Sequence, residues 1–323
     1  MRHLNLLAAA AVTFAATCGA GVAQTYPLRP ITLIVPFPAG GGVDAVARIV
    51  AEKLASGLRQ QVVIDNRGGV AGVIGMRVAA KATPDGYTLV MAHTGITAIN
   101  PTLYVNPGYD PRRDFAPIGL ISTTPIVLMA NTAFPARTVA DLIAMAKREP
   151  GKLNVGTPPP GTGAFLSAEL LKVAAGIDFT IVTYKGTGPL TNDLVGGHVP
   201  IAFNVLAPAM GNLQAGNLRA IATAGAERLS LMPSVQTIGE SGLPGFEAVL
   251  HYGLMAPAGT PADIVTRLND ELRKAVALDD VRARIAADGG DALTSTPEQY
   301  AADIDREERK WGALVRKLGL RVD

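Results

Sequence analysis

Residues 31–58, ITLIVPFPAGGGVDAVARIVAEKLASGL, decide the fold. Ile31–Val35 is a short, largely β-branched run of the kind that makes a buried strand, and Val43, Val46, Ala47, Val50, Leu54 and Leu58 recur at helical spacing. PFPAGGG turns the chain from one to the other. Three glycines at that junction leave backbone N–H groups open at the positive end of the helix, which favours a negative ligand.

On the N-terminal side, Arg2 and His3 precede an apolar stretch from Leu4 to about Ala16, and small residues end at Gly21-Val22-Ala23. This is the pattern of a secretory signal peptide over residues 1–23, so a periplasmic location is expected. The stretch is too short and too alanine-rich to span a membrane, and no later segment is long enough. Cys18, the single cysteine, falls inside this leader, where Thr17 is bulkier than the residue that usually precedes a lipid-attachment cysteine. A mature chain without cysteine has no disulfide, thiol nucleophile or thiolate metal site. The 323 residues are 48% hydrophobic with a formal charge of +2, enough chain for two α/β lobes with their own cores. Lys and Arg are interspersed with Asp and Glu, so nucleic acid is not an expected partner.

Downstream, Val62–Asp65 predicts a second strand, residues 70–82 a glycine-diluted helix, and Tyr87–Met91 a third strand running into His93-Thr94-Gly95. Strands alternating with helices at this spacing imply parallel βαβ units. Residues 100–115 show no clean period and read as a long surface connection. IGLI and IVLM, interrupted by Ser122–Pro125, read as a broken strand that could pass between lobes. Thr138 with Asp141 opens a helix in a capping box. The opening pattern then returns: a strand at 153–156, the loop TPPPGTG at 157–163, a helix to Ala175 and a strand at 179–184. A KGTG turn at 185–188, a short helix from Pro189 and strands at 199–205 and 218–223 complete a second unit. Residues 247–256 could cross back, and Thr260 with Asp263 and Thr296 with Gln299 open two final helices. The last carries Tyr300, Ile304, Trp311, Leu314 and Leu318 on one face.

VPFPAGGGVDAVAR, DNRGGVAGVIG, KATPDGYTLVM, YDPRRDFAPIG, YKGTGPLTNDLVGGHVPIAFN and GLMAPAGTP resemble, in that order, the extracytoplasmic solute receptors of tripartite tricarboxylate transporters, the Bug receptors. The likeness covers residues 26–322. It implies an α/β fold of the type II periplasmic binding protein kind: two Rossmann-like lobes joined by two crossover strands, with the ligand cleft between them. Lobe 1 would comprise residues 24–121 plus 253–323, and lobe 2 residues 122–252. The resemblance further implies a monomer without cofactor or metal that grips a small carboxylate through backbone N–H groups and water. Dicarboxylates, amino acids, citrate-like acids and aromatic acids all fall within that class. The ligand would pass to the membrane subunits of such a transporter or, alternatively, be reported to a sensor kinase.

The candidate ligand-binding residues follow from both readings. The first loop offers Phe37, Pro38, Ala39, Gly40, Gly41 and Asp44; Asp44 suits either the helix dipole or, by the resemblance, ordered water beside the ligand. His93 and Thr94 end the third strand on the cleft side, although a solvated loop histidine reads as well. Thr157, Thr162, Gly163 and Ala164 frame the second loop, where Pro158-Pro159-Pro160 replace the usual polar residues and remove three donors. Lys185 and Gly186 come from the KGTG turn, and Phe203 and Asn204 from the strand IAFN. Asn204 stands where related receptors often have Asp, and its amide can donate and accept. Phe203, like Phe37, suits core as well as pocket. His251 and Tyr252 sit on the return strand.

A dinucleotide enzyme is the rival reading, because Gly40, Gly42 and Ala45 fit G-x-G-x-x-A and Asp65 ends the second strand. Pro36, Pro38 and Asp44 weigh against a pyrophosphate there. No G-x-S-x-G elbow or P-loop lysine suggests a hydrolase, and His93, His198 and His251 lack the paired spacing of a metal site.

Overall fold

In the computed structural model, which describes residues 26–323, the expected alternation resolves into parallel strands. The expected signal peptide and Cys18 lie outside the described residues. β1 (Ile31–Val35) feeds α1 (Gly42–Leu58), whose buried face carries the Val43, Val46, Ala47, Val50, Leu54 and Leu58 repeat. β2 (Val62–Asn66) lies on one side of β1. The helix read over 70–82 is shorter: Val70 and Ala71 take positive φ angles (47° and 50°), so α2 begins at Val73 and ends at Ala80. β3 (Thr88–His93) pairs with the other side of β1.

The surface connection expected from residue 100 is instead buried at its start. A π-helical turn at Gly95–Ile99 runs into α3 (Asn100–Leu103), and Asn100 is fully buried with its amide donating to the Ala71 carbonyl at 3.1 Å. A widened turn scrambles the 3.6-residue period, which is why the apolar pattern is silent there.

β4 (Phe115–Asn131) does not break at Ser122–Pro125 but continues for 17 residues. Register shifts between Pro117 and Gly119 and between Leu120 and Ser122 bend it without ending it. The second unit follows: α4 (Val139–Arg148) with its Thr138/Asp141 capping box, β5 (Asn154–Thr157), α5 (Gly163–Ala175), β6 (Thr180–Thr183), α6 (Thr187–Val195), β7 (Ile201–Val205), the short α7 (Met210–Gln214) and β8 (Leu218–Thr223). β5 pairs in parallel with β6 and β7. β9 (Val249–Pro257) returns antiparallel to β3 and to Phe115–Pro125 of β4, whereas Ile126–Asn131 pairs with β7 and β8. β4 and β9 are therefore shared between two α/β lobes, and the main path of strands runs β2-β1-β3-β9-β4-β7-β5-β6.

The chain ends with α8 (Ala262–Ala277), α9 (Asp279–Ala287), β10 (Asp291–Ala292) on the edge of β4, and α10 (Pro297–Lys317). Thr260 does not cap α8; its hydroxyl donates to the Pro257 carbonyl at 2.8 Å. Thr296 and Gln299 do form the expected box on α10. The inner face of α10 holds Tyr300, Ile304 and Trp311, but Asp303 and Glu307 are buried beside them while Leu314 and Leu318 are only half-buried.

Candidate functional site

The first loop builds an uncapped helix end. Gly41 is the N-cap of α1 and supplies no side chain, so the N–H groups of Gly42 and Val43 have no partner within the helix. Asp44 turns back instead: one carboxylate oxygen accepts from the Gly40 N–H at 2.9 Å and from Arg48 Nε at 2.9 Å, and the other accepts from Asn66 Nδ2 at 3.0 Å. Burial pulls the Asp44 carboxyl upward, but the bonds from Arg48, Gly40 and Asn66 outweigh it and hold its pKa below the ordinary value. Gly40, at φ 80°, supplies the left-handed turn that brings its N–H to this acid.

Two more helix N-termini come from the other lobe. Thr162 caps α5, accepting from the Phe165 N–H at 3.3 Å while its own hydroxyl donates to the Pro159 carbonyl at 2.8 Å. The N–H groups of Gly163 and Ala164 stay open. α6 starts from Gly186 with no side-chain cap, which leaves the Thr187 and Gly188 N–H groups open.

These ends converge on one cavity. Its floor is an aromatic row: the Phe37 and His93 ring centroids are 4.9 Å apart, and those of His93 and Tyr252 5.9 Å. The His93 ring is 2% exposed, and burial pushes its pKa down to about 3, so the imidazole is neutral. His93 Nδ1 accepts from the Gly95 N–H at 2.8 Å, which assigns the ring proton to Nε2. Among the described residues neither that Nε2–H nor the Tyr252 hydroxyl has a hydrogen-bond partner. Among the described residues, no Asp, Glu, Lys or Arg side chain lines the cavity. The lobes meet around it. The Tyr104 hydroxyl donates to the Pro160 carbonyl at 3.1 Å, and a Cβ on Gly42 would lie 2.9 Å from Val205 Cγ2.

A family model described as the tripartite tricarboxylate transporter family receptor matches residues 46–320 of this chain. The chain belongs to that receptor family. Protein BugT of Bordetella pertussis is 35% identical to this receptor over 326 residues, with all of both chains covered. Among solved structures, R. palustris Rpa4515 with adipate is 34% identical at a TM-score of 0.89 and covers 92% of this chain and 100% of its own. MatC from Rhodopseudomonas palustris with bound malate is likewise 34% identical, with a TM-score of 0.83 and coverage of 90% and 100%. The family is one of solute-binding receptors, and the fold is the two-lobed periplasmic binding protein fold.

In this receptor, Phe37, Pro38, Ala39, Gly41, His93, Thr162, Ala164 and Gly186 line the cavity. The other sequence candidates stand behind it. Gly40 and Asp44 shape the first loop. The Thr94 hydroxyl accepts from the His251 N–H at 2.8 Å and so ties β3 to β9. Gly163 is covered by Leu250, whose Cδ2 would lie 2.5 Å from an added Cβ. Thr157 is buried at the end of β5 with its hydroxyl unpartnered, and Lys185 points outward into solvent. Phe203 is fully buried core. Asn204 donates to Thr191 Oγ1 at 3.0 Å and accepts from the Val205 N–H at 2.9 Å, so it fastens α6 to β7.

The sequence reading missed Thr187 and Gly188, because it started the helix at Pro189; proline favours a helix's first turn, not only its first residue. It also missed Val205 and Leu250, which carry no signal except their place at strand ends facing the cleft.

A second group of side chains lies on β9 and α10. His251, Asp303 and Glu307 offer ligand atoms within 4.8 Å of one another, a spacing a metal ion could use. Their oxygens are already engaged: Arg306 pairs with Asp303, and Trp311 Nε1 donates to Glu307 at 3.1 Å.

Proposed function

We propose that this receptor closes on a small carboxylate and holds it through backbone N–H groups and neutral side-chain donors rather than an ion pair. The observation that carries the reading is the convergence of the uncapped ends of α1 and α6 on one cavity that, among the described residues, no charged side chain lines. Each such terminus presents about half a unit of positive charge together with unsatisfied donors. A carboxylate there would replace water with directed hydrogen bonds.

On this reading the leader, residues 1–23, delivers the protein to the periplasm, and residues 24–121 plus 253–323 and residues 122–252 move as two lobes about β4 and β9. The protein acts as a monomeric carrier without a catalytic step and passes its ligand to the membrane subunits of a tripartite transporter. The solved relatives with adipate and malate are in keeping with an acid ligand. The dinucleotide reading gains nothing from the fold, since Asp65 is taken by Arg67 at 2.8 Å and Gly42 packs against Val205. Pull-down against each membrane protein separates delivery to a permease from reporting to a sensor kinase.

A thermal-shift screen of mono- and dicarboxylates tests the proposal. An acid at a hundred times its dissociation constant adds about 2.7 kcal/mol to stability and raises Tm. A shift with NAD and none with any acid would reverse the assignment.

A further inference from the structure

We infer that the preferred ligand is a monocarboxylate with a flat apolar body, an aromatic acid in chemical class, rather than a short dicarboxylate. This rests on the carboxylate reading and narrows it.

The cavity has one open anion corner. Gly41 of α1 and Thr187 of α6 face each other across the cleft, with the Thr187 hydroxyl 3.1 Å from where a Gly41 Cβ would stand. The uncapped ends of α1 and α6, helices of 17 and 9 residues, thus approach each other here, and Gly42, Val43, Thr187 and Gly188 all line the cavity. The third helix end, unlike the other two, already has a side-chain cap, the Thr162 hydroxyl that accepts from the Phe165 N–H. Leu250 packs over Gly163, and the N–H and hydroxyl of Thr162 are both turned to the Pro159 carbonyl, at 3.3 and 2.8 Å. Pro158, Pro159 and Pro160 have no N–H to offer.

A second carboxylate placed there would lose its hydration with no cation and few donors to replace it, which is unfavourable in proportion to its burial. An apolar ring fits instead. It would meet the apolar Pro158, Pro159 and Leu250 as well as the Phe37–His93–Tyr252 row, where offset or tilted ring contacts are favourable. His93 Nε2–H and the Tyr252 hydroxyl, both on residues at most 2% exposed, are the two unpartnered side-chain groups at that row. They suit a neutral hydroxyl or carbonyl substituent on the ring.

Calorimetric titration of the purified full chain, cleared of co-purified ligand, with benzoate, 4-hydroxybenzoate, malate, adipate and benzamide tests this. Benzoate or 4-hydroxybenzoate should bind at least about tenfold more tightly than malate, adipate or benzamide. Tighter binding of malate or adipate overturns the aromatic assignment and leaves the carboxylate reading standing. Benzamide binding as well as benzoate, or no acid binding at millimolar concentration, overturns both. In the variant P158S/P159S, which restores donors to the loop, the preference should shift toward the dicarboxylates by about tenfold or more. An unchanged ratio in a variant that still melts cooperatively counts against the proline wall.

Discussion

His251 Nδ1 lies 2.9 Å from both carboxylate oxygens of Asp303, which binds the return strand β9 to the C-terminal helix α10. The backbone N–H of the same histidine donates to Thr94 at the end of β3. One residue thus connects a strand shared by the lobes, the cleft-side end of β3 and the terminal helix.

Removing the acid should cost stability because the acid itself is buried, although its partners His251 and Arg306 reach solvent, with side chains 17% and 58% exposed. Asp303 is 4% exposed, and Asp303→Ala takes from His251 its side-chain partner while Arg306 keeps Glu307 at 3.7 Å. Denaturant unfolding should show a loss of about 1–3 kcal/mol, the range for removing a charged hydrogen-bond partner whose counterparts can still reach water. A loss below about 1 kcal/mol would mean that the contact is a surface-like pair.

Gly42 tests closure separately from folding. Its missing Cβ leaves room for Val205 Cγ2 and the Tyr252 hydroxyl, which would otherwise stand at 2.9 and 3.4 Å. Gly42→Ala is compatible with a first-turn helical position, so an open receptor should accept it. Closure would then cost about 1–3 kcal/mol of overpacking, read as a ten- to hundredfold rise in Kd with little change in the Tm of the free protein. Equal affinity would show that the lobes do not need this contact to hold ligand.

Two buried groups beside the cavity, His93 and Asp44, contribute to the pH response in the same direction. His93 titrates near 3 in the folded chain against an ordinary 6.5, so below 6.5 the unfolded chain takes up a proton that the folded chain refuses. Its contribution is complete above 6.5 and fades as pH falls toward 3. Asp44 has a depressed pKa, so its contribution is present above its ordinary 3.8 and fades as pH falls through the lower folded value. Melting scans should show Tm falling continuously on acidification below about 6.5. Affinity for a carboxylate should meanwhile stay flat between roughly pH 5.5 and 8, because His93 remains neutral throughout. Affinity that rises sharply below 6.5 would show that a charged imidazole grips the ligand.

Much of the site was legible because a strand, a glycine turn and a helix in that order leave few geometric options. The run Ile31–Val35 and the repeat from Val43 to Leu58 placed Gly41 and the open end of α1, and the prolines at 158–160 marked a wall poor in donors. The misplaced features share a cause. Asn100 was read as surface because a π-helical turn disturbs the apolar period before it. Asn204 and Phe203 were assigned to the pocket because a sequence shows that they end a strand but not which face of the sheet they occupy. Asp303 and Glu307 broke the apolar face of α10 because their partners, His251 and Arg306 for one and Trp311 for the other, cannot be paired by local pattern.

Local pattern by itself determined the α/β class, the two repeated strand-loop-helix units and the residues that build the first glycine loop. These depend on periodicity, glycine and proline, whose effects act within a few residues. Tertiary structure decided that α1 and α6 approach each other at one corner while Leu250 packs against Gly163 of α5, and that His93 is buried and neutral. Those outcomes depend on which segments far apart in the chain come within a few ångströms of each other. Burial, tautomer and charge at the site follow from that proximity, and the short-range code of the sequence does not carry it.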